Sequence, residues 1–340
     1  MSTDLALSVL DLAPVVEGTT PADALRNTID LAAYVEELGY HRYWLAEHHN
    51  MPGIASSAPA VMIAHVAAAT TTIRVGSGGV MLPNHAPLAI AEQFGTLEAL
   101  HRGRIDLGVG RAPGTDPRTA QALRRGPLSL TGDEFPREFG DLLGFFDGSF
   151  ADDHPYRSIR AVPGLGYRPA IWLLGSSDYS ARVAGLLGLP FSFAHHFAAA
   201  NTEPALDVYR ASFRPSAVLD EPYVMLGVST VCAPTDVEAR WLAAPGALAI
   251  LRLRSGRPGP YPTPQEAAAY TFTPSEREVV RSWTSSQVVG TPQAVRDELQ
   301  ELAVRTGANE LMLTTVVHPH AERRQSYGLV ADAMRLARAA

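Results

Sequence analysis

One arrangement recurs eight times along the chain: a short apolar run, then a longer stretch with helical patterning. The apolar runs fall at 5–12, 40–47, 73–83, 104–114, 169–177, 189–197, 222–233 and 309–315. Many are continuous rather than alternating, as expected of parallel strands buried on both faces. Helical stretches follow at 21–39, 56–71, 86–104, around 131–147, 178–188, 202–214, 291–307 and from 320 towards the C-terminus. In the first of these, Leu25, Ile29, Ala32 and Ala33 share a face, Pro21 suits the first turn and Gly39 the end. Eight βα units in 340 residues predict an α/β fold, a single TIM (β/α)8 barrel spanning 1–340. Irregular stretches at about 115–168 and 244–286 read as insertions after strands four and seven. A doubly wound sheet is the alternative, but eight consecutive units favour closure.

Composition excludes several function classes. At 46% apolar residues the chain has ample material for a core. Its net charge of −7 offers no basic footprint for nucleic acid. Every Lys-or-Arg position is Arg, so Schiff-base lysine chemistry is impossible. The single cysteine, Cys232, sits in the apolar run "LGVSTVCAP" and reads as an inert core thiol. The opening "MSTDLALSVLDL" lacks the basic start and long apolar stretch of a signal peptide. No uninterrupted apolar run approaches ~18 residues. A cytoplasmic protein that does not span a membrane is expected.

In a TIM barrel the chemistry sits at the C-terminal ends of the strands. After strand two comes "WLAEHHN", with Glu47, His48 and His49 in succession. These residues suit metal binding, an acid/base pair or a solvated turn. Successive side chains of an extended chain face opposite ways, so one histidine points to the mouth and the other elsewhere. Strand one ends "VLDLAP" with no histidine, so no metal site is expected. After strands four and five come "GVGRAPG" and "LLGSSDYSARV". They bring Arg111 and Ser176, Ser177 and Ser180 to a helix start, where free N–H groups favour an anion. Taken singly, the serines read as caps and Arg111 as half of a surface ion pair. At the ends of adjacent strands they suit a phosphate. Strand three carries "VGSGGVMLP", in which Gly78–Gly79 would let a flat ring approach the backbone. A plain bulge is the alternative there. Phe191, Phe193, His195, His196, Phe197, Tyr261 and Tyr270 are candidates to line the mouth, with core packing the alternative for several. A flat group with a phosphate tail and a histidine beside it outlines a flavin mononucleotide site.

The stretches "YWLAEHHN", "VGSGGVMLPNHAPLAIAEQFGTLEALHRGRIDLGVGRAPG", "LLGSSDYSARVAGLLGLPF" and "VGTPQAVRDELQELAVRTGANELMLTT" resemble the luciferase-like flavin-dependent monooxygenases, in the same order and over nearly the whole chain. The resemblance implies a TIM barrel and an FMN-using enzyme. Such an enzyme receives reduced FMN from a separate NAD(P)H:flavin reductase. It activates O2 as a C4a-(hydro)peroxyflavin and oxygenates a small organic substrate. The family does not name that substrate; the aromatic candidates at the mouth point to an aromatic or polyketide compound of secondary metabolism. The resemblance makes His48 the acid/base residue, with Glu47 preceding it. It lays Gly78–Gly79 against the ring, with a non-proline cis bond expected there. It assigns Arg111, Ser176, Ser177 and Ser180 to the phosphate. A homodimer is implied at family level. Gly110 replaces a reactive cysteine of bacterial luciferase, and Ser176 replaces a glutamate. The insertion after strand seven does not match that enzyme's mobile loop, which puts aldehyde substrates and light emission in doubt. The competing readings are a deazaflavin (F420)-dependent oxidoreductase, a non-catalytic flavin-binding barrel and a metal-dependent hydrolase.

Overall fold

The computed structural model describes residues 5–123 and 134–338. Nine strands are present among them: β1 (Ala6–Asp11), β2 (Arg42–Leu45), β3 (Arg74–Met81), β4 (Ile105–Gly110), β5 (Ala170–Gly175), β6 (Phe191–Phe193), β7 (Val224–Cys232), β8 (Val288–Gly290) and β9 (Glu310–Thr314). Every pairing is parallel. The sheet runs β6-β5-β4-β3-β2-β1-β9-β7, and β6 pairs with β7 to close it into the expected eight-stranded TIM barrel. The ninth strand, β8, had not been expected; it is an extra strand on the flank of β7.

Strand alternation sorts the side chains. Leu7, Val9, Tyr43, Leu45, Val75, Leu107, Leu173, Leu226 and Leu313 point outward and form one large core with the surrounding helices. Leu10, Trp44, Trp172, Met225 and Met312 point inward and fill the barrel waist. Below them, at the N-terminal ends, charges plug the barrel. Arg42 donates to Asp106 (2.8 Å) and Glu310 (3.0 Å), and Arg74 donates to Asp106 (2.6 Å). Trp44 Nε1 donates to Asp106 and the Tyr223 hydroxyl to Glu310, each at 2.9 Å, and the Ser8 hydroxyl also donates to Glu310. Buried charges of this kind persist because each is paired and hydrogen-bonded. Among the described residues, the plug and waist close the N-terminal end of the barrel interior.

Helices cover the outside at Pro21–Glu37, Pro59–Ala69, Pro87–Leu100, Phe135–Asp147, Asp178–Leu187, Thr202–Ser212, Pro292–Thr306 and His320–Met334. The helix expected around 131–147 is present from Phe135; residues 131–133 lie outside the described residues. Two expectations need correction. The strand expected over 189–197 ends at Phe193, and His195–Ala198 form a helical turn instead. The stretch 244–286 is largely helical rather than irregular. Its first part completes a helix at Asp236–Arg254 that contains Pro245, and Pro264–Ala269 and Pro274–Thr284 follow. No helix among the described residues is long and apolar enough to cross a membrane.

Candidate active site

The exit of β2 answers what Glu47, His48 and His49 do. Arg42 and Trp44 face the barrel interior, and the same alternation brings His48 to the mouth. Glu47 follows Tyr43 and Leu45 to the opposite side. Its fully buried carboxylate accepts hydrogen bonds from His49 Nε2 (2.9 Å), His85 Nε2 (2.8 Å) and the Met81 amide (3.0 Å). Burial alone would raise the Glu47 carboxyl, but the His85, His49 and Met81 contacts outweigh it and hold the group below its ordinary value. Glu47 thus ties the ends of β2 and β3 together behind His48. Glu47→Gln swaps an acceptor for a donor facing these N–H groups. It is expected to cost roughly 1–3 kcal/mol, measured by urea unfolding at neutral pH. Because the folded pKa is depressed, the lost stability is the part present above pH 4.5 and lost as pH falls below it.

His48 Nδ1 lies 3.3 Å from the Gly114 carbonyl oxygen. Donation to that oxygen places the imidazole proton on Nδ1 and leaves Nε2 as a free base. Burial lowers the His48 pKa, against smaller opposing effects of Gly114 and Glu47, so the ring is neutral at pH 7. The loop after β4 is pinned to the same corner. Asn84 donates to the Pro113 carbonyl (2.8 Å) and Thr115 to the His49 carbonyl (3.0 Å).

A chamber of about 400 Å³ opens at this mouth, between the ends of β1, β2, β6, β7 and β9. His48 and His196 stand on its wall among mostly apolar neighbours such as Leu12, Ile54, Val231 and Ile250. The helices after β7 roof it, and the Trp283 ring packs against Gly246. Of the other aromatic candidates, Phe197 and Tyr261 line the chamber. Phe191 and Phe193 belong to the outer core, Tyr270 is exposed, and His195 bonds Thr202 (2.8 Å).

A second constellation lies across the rim. The Arg111 guanidinium stacks over the Tyr179 ring at 4.2 Å. Tyr179 and Ser180 belong to the first turn of the helix Asp178–Leu187, with Ser176 and Ser177 just before it. Ser177 occupies the N-cap position but makes no capping hydrogen bond. Among the described residues Arg111 has no carboxylate partner. The helix-start N–H groups, the Ser177 hydroxyl and the guanidinium are therefore unspent. Gly78 and Gly79 lie between the two constellations and are joined by a cis peptide bond. A Cβ at Gly78 would meet Leu10 at 2.7 Å, and one at Gly79 would meet the Gly108 carbonyl oxygen at 2.7 Å. The pair does not line the chamber, and neither does Arg111 or any of Ser176, Ser177 and Ser180. The structure thus brings His48 to the chamber and groups Arg111 with the serines, while Glu47 stands behind the wall. No cluster of His, Cys, Asp and Glu among the described residues suits a metal ion.

Sequence reasoning missed Ser229 and Thr314, which also line the chamber. Their only local signal is an inward register near the ends of β7 and β9, which pair at Ser229–Thr314.

The sequence model described as luciferase-like monooxygenase matches residues 6–310. A luciferase-like monooxygenase of Escherichia coli (strain K12) is 47% identical over 328 residues, 96% of either chain. The N-acetyl-S-alkylcysteine monooxygenase of Bacillus subtilis (strain 168) is 35% identical over 97% of this chain and 98% of its own. The crystal structure of apo-MsnO8 superimposes with a TM-score of 0.91 at 39% identity, covering 98% of this chain and 100% of that one. With a match this long and relatives this similar along their whole length, the chain belongs to the luciferase-like monooxygenase family and is a flavin-dependent monooxygenase.

Proposed function

We propose that this protein is the oxygenating component of a two-component system. In this reading it takes reduced FMN from a separate NAD(P)H:flavin reductase, and O2 and a small organic compound are its substrates. The observation that carries the reading is the unspent anion cradle. Among the described residues Arg111 has no carboxylate partner, and Ser177, the N-cap of a ten-residue helix, makes no capping hydrogen bond. A terminal phosphate monoester suits a helix N-terminus joined by a guanidinium and hydroxyls. The residues therefore fit FMN: Arg111, Ser176, Ser177 and Ser180 would hold its phosphate, with Gly78–Gly79 beside its ring. When bound, reduced flavin supplies the two electrons with which O2 yields one oxygen atom to substrate and one to water.

The chain's own contribution is positional. His48, neutral and with Nε2 free, takes or returns a proton at the chamber wall. Glu47 acts through the strand ends that it fixes. The apolar lining keeps water from the reaction. A wide aromatic compound, such as a polyketide intermediate, suits a chamber with Phe197, Tyr261 and Trp283 on its walls.

Anaerobic titration tests the reading. Reduced FMN is expected to bind at least tenfold more tightly than reduced riboflavin, which lacks the phosphate. Arg111→Ala is expected to weaken FMN about 10–100-fold by deleting a charge-assisted contact, and to leave riboflavin unchanged. Equal affinities for FMN and riboflavin would defeat the phosphate assignment. Tighter binding of reduced F420 would move the protein to the deazaflavin branch. Flavin binding without oxygen uptake coupled to any product would leave a non-catalytic carrier.

A further inference from the structure

The chamber floor holds polar atoms that the fold does not satisfy. Thr314, at the end of β9, is almost wholly buried, and its Oγ1 has no hydrogen-bond partner among the described residues. His196, beyond β6, packs on the Gly227 backbone, and its buried Nδ1 makes no hydrogen bond of good geometry. Ser229 of β7 stands beside them, in register with Thr314. All three residues line the chamber. Native proteins leave few buried polar groups without a partner, and such groups call for a ligand, a water or a catalytic use. Here two meet on one cavity wall, Thr314 Oγ1 from the end of β9 and His196 Nδ1 from the helical turn after β6.

The charges around them narrow the ligand. Among the described residues that line the chamber, Arg252 is the one formally charged side chain, and its guanidinium is already ion-paired with Glu266. Burial keeps the imidazoles of both His48 and His196 below their ordinary pKa, hence neutral at pH 7. A carboxylate reaching the floor would find hydroxyls and neutral rings but no counter-ion, and would lose its hydration. A carbonyl or hydroxyl would find matched partners. Above the floor, Ile250, Leu253 and Trp283 offer an apolar path to the rim.

We propose that His196, Ser229 and Thr314 form a polar subsite that seats the uncharged carbonyl or hydroxyl group of an otherwise apolar substrate. The assignment rests on reading this chamber as the substrate site under the proposed function. It orients the substrate with its polar end down and its apolar body towards Trp283.

Isothermal titration of the full-length protein without flavin tests this, using three probes of similar size: acetophenone, ethylbenzene and benzoate. Acetophenone is expected to bind at least tenfold more tightly than either of the others. Thr314→Val and Ser229→Ala should each weaken acetophenone about fivefold or more and leave ethylbenzene unchanged. Thr314→Val should not lower the melting temperature, because the hydroxyl it removes has no partner to lose. Tighter benzoate binding would overturn the proposal in favour of a carboxylate site at Arg252. Acetophenone binding no better than ethylbenzene, including no measurable binding of any probe, would overturn it as well. A fall in melting temperature for Thr314→Val would assign the hydroxyl to the fold. A parallel loss of reduced-FMN affinity in Thr314→Val would assign the floor to the flavin. Failure of wild-type FMN binding with probe discrimination intact would defeat the proposed function and leave the subsite standing.

Discussion

Replacing His48 with asparagine is expected to lower the rate of product formation by about 10²–10⁴ and leave reduced-FMN affinity unchanged. His48 is the residue that β2 turns into the chamber, and Gly114 orients it. The asparagine amide can take over donation to the Gly114 carbonyl, so the corner keeps its shape and loses only the free basic nitrogen. The pH profile carries the sign. Burial depresses the imidazole below its ordinary 6.5, so the basic form persists to lower pH than in free histidine. The acid limb of kcat/KM is therefore expected below pH 6.5 in the wild type and absent in His48→Asn. The measurement is steady-state product formation at saturating reduced FMN and oxygen across pH 5–9. An unaltered rate with the acid limb retained would remove His48 from the chemistry. A loss of flavin affinity equal to the loss of rate would make it a binding residue.

The barrel was legible because its strands declare themselves individually. Runs such as "LALSVLDL" and "VMLGVSTVC" are predominantly apolar, and their number and order imply closure. The misreadings have physical causes. The aromatic run continues through "FSFAHHF", and nothing local marks the change from strand to helical turn at His195. Three residues, Val288–Gly290, are too few to show a period. Pro245 and the prolines that follow read as breaks, although buried Ala239, Leu242 and Gly246 keep a helical spacing across the first of them.

The site was legible to the same depth. That adjacent histidines diverge follows from alternation alone, and the structure turns His48 inward and His49 towards Glu47. What closes around Glu47 was not readable, because His85 arrives from a separate loop 38 residues on. Nor could sequence show that Ser229 and Thr314 share a floor. That depends on β7 pairing with β9, across 85 residues of chain, in one register.

Asp11→Leu is expected to cost about 3–5 kcal/mol of folding stability. Asp11 ends β1 on the outward side, where its fully buried carboxylate accepts from Arg323 Nη2 (2.6 Å), the Ala13 amide (2.7 Å) and Thr28 (2.8 Å). The Tyr43 hydroxyl also donates to it. Arg323 has one further hydrogen bond, to the Thr315 carbonyl (2.8 Å). Without Asp11 it becomes a buried cation with no counter-ion, and that penalty dominates. The double variant Asp11→Leu with Arg323→Met removes both charges and should recover most of the loss, since apolar replacement of a buried pair is often neutral. Urea unfolding of the two singles and the double closes the cycle. Burial by itself raises the Asp11 carboxyl, but the Arg323 charge and the hydrogen bonds from Tyr43, Arg323 and Ala13 hold it below its ordinary 3.8. The pair therefore stabilises the fold above about pH 3.8. That contribution drains away as pH falls further, and the single variants should lack this acid transition. The same residue shapes the active site. The Asp11 carboxylate holds the Ala13 amide where Ala13 adopts a positive φ of 49°, and the flanking Leu12 and Pro14 form part of the chamber wall. Full recovery of stability in the double variant without recovery of acetophenone binding would show that the turn at Ala13, more than the ion pair, sets the wall. A single Asp11→Leu variant as stable as the wild type would mean that Arg323 finds water or another partner, and the pair would lose its place in holding β1.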